Sequence, residues 1–265
     1  MDSIYTKSLI KDYRFKIYHK FIKAIKEYNL INEGDNIMVC MSGGKDSFIM
    51  ALCFMELLKW SDFPFSVRYV SMNPGYTEEK LNEIKHNAEL LGIPIEFFDT
   101  KIFEISAKNE DKRCYICAKM RRGALYNHAK SIGCNKIALG QHFDDQIETT
   151  LMSIFYSGKV ETMLPKVKSD NYEGLSLIRP LYLVKEDDII SFEKENNLSF
   201  LKCGCFLTEN RVLCENSKRQ YIKRLIKELK LDTDVVDKNI FRSMENVNIE
   251  KVLAYKEKGK KHSNV

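Results

Sequence analysis

The stretch that most constrains this chain is Asn36-Ile-Met-Val-Cys-Met41, followed at once by Ser42-Gly43-Gly44-Lys45-Asp46-Ser47 and then by helical periodicity to Lys59. A short apolar run bounded by turn residues fits a buried strand. Two glycines directly after it let the backbone turn sharply, and a helix that starts there offers unpaired N–H groups in its first turn. Strand, glycine turn and helix N-terminus together make an anion site, to which Lys45 adds a positive charge and Ser42 and Ser47 add hydroxyl donors. The pattern is not a Walker loop, because Val39 stands where that loop needs glycine and Asp46 where it needs Ser or Thr. Asp46 beside a bound phosphate would be repelled unless it shares a cation. Mg²⁺ meets that need, since it favours carboxylate oxygens together with phosphates.

The alternation runs on. Phe65 to Ser71 reads as a strand, Thr77 to Leu91 as a helix ended by Gly92, and Pro94 to Phe98 as a strand. Tyr115 to Ser131 reads as a helix, Lys136 to Leu139 as a strand and Phe143 to Tyr156 as a helix. Strands separated by single helices imply right-handed βαβ units and a parallel sheet covered on both faces. Ligands of such sheets bind beyond the carboxyl ends of the strands. The glycine loop, Ser71-Met72-Asn73 and Gly140-Gln-His-Phe-Asp-Asp145 all fall at that edge. The paired Asp144 and Asp145 are therefore candidates for positioning metal or substrate, although a helix N-terminus favours acidic residues by itself. Ahead of the sheet, Tyr13, Ile17, Phe21 and Ile25, four apart, predict one helix from about Tyr5 to Leu30. After Gly158 the pattern weakens: Leu177 to Leu181 fits a last strand, Lys185 to Asn196 a helix, Cys203 to Cys214 an irregular loop, and the tail from Ser217 is basic and helical. The expected organisation is an N-terminal helical segment (1–33), an α/β domain (34–200), and a cysteine loop with a helical extension packed on the same domain (201–265).

Composition narrows the partners. With 265 residues, 44% hydrophobic and 30% charged, the chain reads as a soluble globular protein. Its longest apolar stretch, Phe48 to Trp60, is interrupted by Glu56 and too short to cross a bilayer. The N-terminus shows no leader-like apolar region, so a cytoplasmic location is expected. A net charge of +5 permits a nucleic-acid partner only where the basic residues cluster. Eight cysteines without an export signal point to metal binding, catalysis or burial rather than to disulfides. Cys114-Tyr-Ile-Cys117 has the spacing of a chelate, and Lys112, Arg113, Lys119, Arg121 and Arg122 around it favour thiolate. Downstream, Cys203 or Cys205 offers a third ligand. Three thiolates on a 4Fe-4S cluster leave one iron open, whereas Cys205 or Cys214 could complete a closed zinc site. Cys40, Cys53 and Cys134 read as packing residues. The Ser217 to Leu229 helix sets Arg219, Lys223 and Lys227 apart from an apolar face, a stripe that suits an RNA backbone and suits plain solvation equally.

SGGKDS resembles the pyrophosphate-binding PP-loop of ATP pyrophosphatases that adenylate a carbonyl oxygen. Taken with CYICAKMRRGALY (114–126), KIALGQHFDDQIETTLMSIFYSGK (136–159), IRPL (178–181), the late Cys203 and IFRSMENV (240–247), the chain resembles the tRNA 2-thiocytidine synthetase family of PP-loop thiolases. The resemblance implies an α/β fold of the PP-loop ATP pyrophosphatase type, Rossmann-like and adenine nucleotide alpha hydrolase-like, with an N-terminal helix and a helical C-terminal extension. It implies ATP and Mg²⁺ bound by Ser42, Gly43, Gly44, Lys45, Asp46, Ser47, Ser71 and Gly140, with Lys45, Asp46, Asp144 and Asp145 in catalytic roles. The C2 carbonyl oxygen of a tRNA cytidine would attack the α-phosphorus, pyrophosphate would leave, and sulfur at an open iron would displace AMP. Cys114, Cys117 and Cys203 would hold the 4Fe-4S cluster, and Arg121, Arg122, Arg219, Lys223 and Lys227 would meet tRNA. A sulfur donor such as a cysteine desulfurase and a homodimer are also implied. Two departures stand out: the family's GHHRDD is GQHFDD here, and its later CxxC is CGC, which favours Cys203 over Cys205. The competing readings are a 2-thiouridine synthase, opposed by the lack of cysteine before Cys40 and after Cys214, and lysidine synthetase, which has no use for CxxC. A zinc-stabilised RNA-binding protein without turnover is a further reading, opposed by the intact SGGKDS.

Overall fold

The computed structural model describes residues 3–108, 113–201, 217–257 and 259–265, with the side chains of residues 113 and 114 outside that description. The chain forms two units, one of Met1–Asp145 with Leu164–Glu215, the other of Gln146–Met163 with Asn216–Val265.

The first unit is built on a six-stranded sheet of β1 (Asn36–Cys40), β2 (Ser66–Asn73), β3 (Ile95–Asp99), β4 (Lys136–Ala138), β5 (Lys166–Lys168) and β6 (Ser176–Ile178), in the order β3-β2-β1-β4-β6-β5. Five strands run parallel as the alternation predicts, and β5 pairs antiparallel with β6. The stretch between β5 and β6 is too short for a crossover, so the chain can only fold back as a hairpin. The central strand β1 follows an all-buried pattern through Ile37, Met38 and Val39, as a strand covered on both faces must.

Helices α1 (Ile4–Lys11), α2 (His19–Glu27), α3 (Lys45–Trp60), α4 (Glu78–Leu91), α5 (Ile102–Ala107), α6 (Arg113–Ser131) and α8 (Glu186–Glu195) belong to this unit, and α7 (Phe143–Ser157) begins in it. α3 is buried on all sides from Phe48 to Phe54, the mark of a core helix. α4 is delimited as its sequence predicts, by Thr77, whose side chain accepts from the Lys80 N–H, and by Gly92 in the left-handed conformation.

The N-terminal segment differs from the single helix expected. α1 and α2 are joined by a π-helical turn at Arg14–Tyr18. Residues four apart drift by about 40° per step around an α-helix of 3.6 residues per turn. The wider π turn offsets that drift, so Tyr13, Ile17, Phe21 and Ile25 all point inward and are buried. Tyr13 meets Phe192 edge-on at 5.3 Å, and Phe21 meets Phe54 at 5.3 Å. Each such aromatic contributes roughly 1.5–3 kcal/mol by burial. The segment is pinned at its far end by a buried ion pair of Lys136 with Asp35, in which Lys136 Nζ also donates to the Leu30 carbonyl at 2.7 Å.

The second unit holds the remainder of α7 with α9 (Lys218–Asp232), α10 (Val236–Ser243) and a hairpin of β7 (Ala254–Glu257) and β8 (Lys260–Ser263). Ile222 and Ile226 bury the apolar face of α9, and the buried Glu148 pairs with Arg219 at 3.1 Å and Lys223 at 3.5 Å. Among the described residues, no helix is long and apolar enough to cross a membrane.

Candidate active site

The glycine loop forms the turn between β1 and α3. Gly43 takes a φ of +87°, and a Cβ there would lie 2.7 Å from Leu201 Cδ1 and 2.9 Å from Ile84 Cγ1. The Leu201 N–H donates to the Gly43 carbonyl at 3.1 Å and fixes the outer side of the turn. The two serines tie the loop together rather than projecting freely. Ser47 Oγ donates to the Gly44 carbonyl at 2.8 Å and accepts from the Ser42 N–H at 3.2 Å, and the two hydroxyls lie 3.2 Å apart. Gly140, at the end of β4, lets that strand approach the first turn of α3: a Cβ there would sit 3.1 Å from both Asp46 C and Ser47 N.

Beside this turn opens a cleft of about 730 Å³ at the carboxyl edge of the sheet. Ser42, Asp46 and Ser47 line its loop end, Gly140, Gln141 and Asp145 its β4 end. Val70 and Met72 give β2 an apolar wall. Ser71 falls between them, and by strand alternation its side chain takes the other face, where it is buried at 1% exposure. Ala118, Arg121, Arg122, Leu125 and Tyr126 of α6 form the opposite wall, and Arg179 closes the β6 side. Cys40, read as a packing residue, also lines the cleft, and burial pushes its thiol up to about 12, which keeps it protonated.

The charged groups divide the work. Lys45 Nζ lies 3.3 Å from Asp46 Oδ1 and 3.2 Å from Glu186 Oε1. Burial opposes its charge, but the two carboxylates hold the ammonium above its ordinary range. Burial pushes the Asp46 carboxyl up, against the pull of His142 and Lys45. Its Oδ1 is buried and makes no hydrogen bond among the described residues. His142, itself buried, stands between three carboxylates: its Nε2 is 3.6 Å from Asp145 Oδ2 and 4.0 Å from Asp46 Oδ1, and its Nδ1 is 3.7 Å from Asp144 Oδ2. The adjacent aspartates diverge. Asp145 lines the cleft, while Asp144 accepts from the Glu186 N–H at 2.7 Å and so caps α8.

A PP-loop domain model matches residues 15–204. The tRNA-cytidine(32) 2-sulfurtransferase 2 of Francisella tularensis subsp. tularensis is 35% identical over 238 residues, covering 88% of this chain and 91% of that one. The chain belongs to the tRNA-cytidine(32) 2-sulfurtransferase family of PP-loop proteins. Another relative, from Pelobacter propionicus, is 34% identical over 235 residues, covering 88% of this chain and 86% of its own. Among solved structures, the U34-tRNA thiolase NcsA from Methanococcus maripaludis, determined with its 4Fe-4S cluster, superposes with a TM-score of 0.62 at 18% identity, over 87% of this chain and 79% of that one. It shares the fold.

Seen as a PP-loop, the site suits a divalent cation. Asp46, whose buried Oδ1 accepts no hydrogen bond among the described residues, and the cleft-lining Asp145 are two carboxylates beside the glycine turn. Mg²⁺ typically takes one or two carboxylates and completes its shell with phosphate and water. No ready-made group of three or more ligating side chains occurs among the described residues. For the cluster, Cys117 is half-buried on α6, one helical turn before the cleft-lining Arg121. The side chain of Cys114, and all of Cys203, Cys205 and Cys214, lie outside the described residues. Of the basic candidates, Arg121 and Arg122 line the cleft, Arg219 and Lys223 pair with Glu148 in the second unit, and Lys227 is exposed there.

Sequence reasoning passed over His142, Gln141, Arg179 and Glu186 as site residues. Arg179 carried a usable signal, since it is a charged residue inside the last predicted strand, Leu177 to Leu181. Glu186 carried none, because its part is fixed by a lysine 141 residues away.

Proposed function

We propose that this protein is an ATP-dependent tRNA sulfurtransferase that adenylates the C2 carbonyl of an anticodon-loop cytidine and replaces its oxygen with sulfur. The observation that carries the reading is a single cleft joining the glycine loop, the Asp46–His142–Asp145 group and the arginine-bearing face of the CxxC helix. The turn at Gly43 and Gly44 receives the β- and γ-phosphates at the N-terminus of α3, where the helix dipole favours anions. Asp46 and Asp145 would hold Mg²⁺ on the phosphates. His142 stands between these carboxylates, 3.6 Å from Asp145 and 4.0 Å from Asp46. The apolar side chains of Val70 and Met72 suit the adenine, and Leu125 helps keep water from the reacting atoms. The base reaches the α-phosphorus as an unstacked loop nucleotide, because a paired base hides its C2 region. Adenylation matters because oxygen is a poor leaving group until it carries AMP. Cys114, Cys117 and Cys203 would hold a 4Fe-4S cluster, which supplies a site where sulfur can be presented to C2. Arg121 and Arg122 meet the incoming RNA backbone. A cysteine desulfurase-type donor supplies sulfur in the cytoplasm, and the enzyme works as a homodimer.

The test is the nucleoside content of bulk tRNA, measured by mass spectrometry in a deletion strain and in the same strain carrying the gene. Selective loss and return of 2-thiocytidine is expected. An unchanged 2-thiocytidine level overturns the reading, and loss of 2-thiouridine instead would reassign the base.

A further inference from the structure

Arg179 lines the cleft and is oriented by two neutral groups. Its Nε donates to Gln141 Oε1 at 2.5 Å, and its Nη1 donates to the Leu164 carbonyl. Among the described residues no carboxylate pairs with it. Lys45 differs, since its charge is shared between Asp46 and Glu186. Arg121 donates to the Tyr76 hydroxyl at 3.2 Å, and Arg122 is exposed. Among the described residues no carboxylate lies within ion-pair distance of this half-buried guanidinium, and Asp145 acts on it only from farther off, so its charge has left water without gaining a close partner. Burial accordingly pulls Arg179 down to about 10, far below the usual range of an arginine. A protein that only needed to fill this corner would do better with an apolar side chain or a paired one.

The surroundings indicate which anion completes it. The terminal phosphates belong at the β1–α3 turn, and Arg179 stands two strands away across β4, roughly 10 Å at ordinary strand spacing. The side chain is long enough to reach back toward the turn. The wall on the far side, at Val70 and Met72, is apolar. A nucleotide with its base on that wall and its pyrophosphate on the turn lies in the same cleft that Arg179 closes on the β6 side.

We infer that Arg179, oriented by Gln141, is the α-phosphate ligand of this cleft, binding the phosphoryl group that AMP carries and leaving pyrophosphate to the glycine loop. The inference rests on the nucleotide reading above. Gln141 is a positioning residue, and its neutrality is the property that counts. A carboxylate in its place would keep the hydrogen bond and the shape while cancelling the charge the phosphate needs. This gives position 141, where the family pattern has histidine, a physical role: it must accept from Arg179 without neutralising it.

The test is calorimetric titration of the full-length protein with AMP, adenosine and inorganic pyrophosphate as separate probes. Gln141→Glu and Arg179→Met are each expected to weaken AMP binding by about tenfold or more, the scale of a charge-assisted hydrogen bond, with pyrophosphate and adenosine affinities within about twofold of wild type on the same scale. Gln141→His should retain AMP affinity. Unchanged AMP affinity in Gln141→Glu and Arg179→Met overturns the inference, as does an equal fall for AMP and pyrophosphate, which would mean that the whole loop has shifted. An equal fall for AMP and adenosine also overturns it. Wild-type protein that binds neither AMP nor pyrophosphate overturns the nucleotide reading itself, an outcome separate from the others.

Discussion

Gly140→Ala tests whether the phosphate loop owes its position to a close approach of β4. A single added Cβ would lie 3.1 Å from Asp46 C and Ser47 N and 3.2 Å from Asp46 O. These are backbone atoms in the first turn of α3, so no side chain can rotate away to make room. Ordinary contact begins about 0.3 Å farther out, and the helix terminus must move by at least that much or the β4 edge must yield. Such overpacking typically costs about 1–3 kcal/mol. For a chain of this size that is roughly 2–10 °C in Tm. Function should suffer more than stability, because the displaced atoms carry the Asp46 carboxylate and the turn that receives phosphate. Displacements of this kind can lower turnover by as much as about 100-fold. The contrast is Gly92→Ala, where nothing lies within 4 Å of the new Cβ and only the positive φ of +67° is strained. Differential scanning calorimetry and calorimetric ATP titration on both variants decide the matter. Gly140→Ala should lose nucleotide affinity and Gly92→Ala should keep it. A Gly140→Ala protein with wild-type Tm and wild-type ATP affinity would refute the reasoning.

Three further outcomes follow from the same geometry. Lys136→Ala leaves Asp35 buried without its partner, both side chains being under a tenth exposed, and should destabilise the protein by about 3–5 kcal/mol in urea denaturation; a loss below about 1 kcal/mol would show that the pair is solvated. Burial raises the Asp46 carboxyl, so in metal-free protein its stabilising contribution is present in acid, below the ordinary aspartate range, and is lost as pH rises through the folded value; the Tm of Asp46→Asn relative to wild type should therefore climb from acid to neutral pH, and a flat difference would contradict the shift. Cys117→Ala, at a half-buried helix position, should abolish 2-thiocytidine formation and lower bound iron while moving Tm by no more than a few degrees; retained thiolation would remove Cys117 from the chemistry.

What the sequence disclosed, and what it withheld, separates along one physical line. Residue type and strand-end position were legible, because a buried parallel strand must be a continuous apolar run and the turn after β1 demands glycine. Side-chain direction was not, because it depends on partners remote in the chain. Asp144 and Asp145 are adjacent and chemically identical, yet they point about 100° apart around a helix. The backbone N–H of Glu186, 42 residues on, takes the first, and the cleft takes the second. Ser71 lies at the correct strand end but on the face opposite Val70 and Met72, a consequence of two-residue alternation that no composition reveals. Small elements escaped for a different reason. Lys166–Lys168 has one apolar residue, too few to show a period, and its strand exists because the folded-back chain meets β6. The N-terminal segment shows the opposite: its strict four-residue spacing already contained the π turn, because an α-helix cannot keep four such residues on one line. The spacing of apolar residues therefore carries information about helix type as well as helix presence, and a repeat of four is best read as a demand for local underwinding.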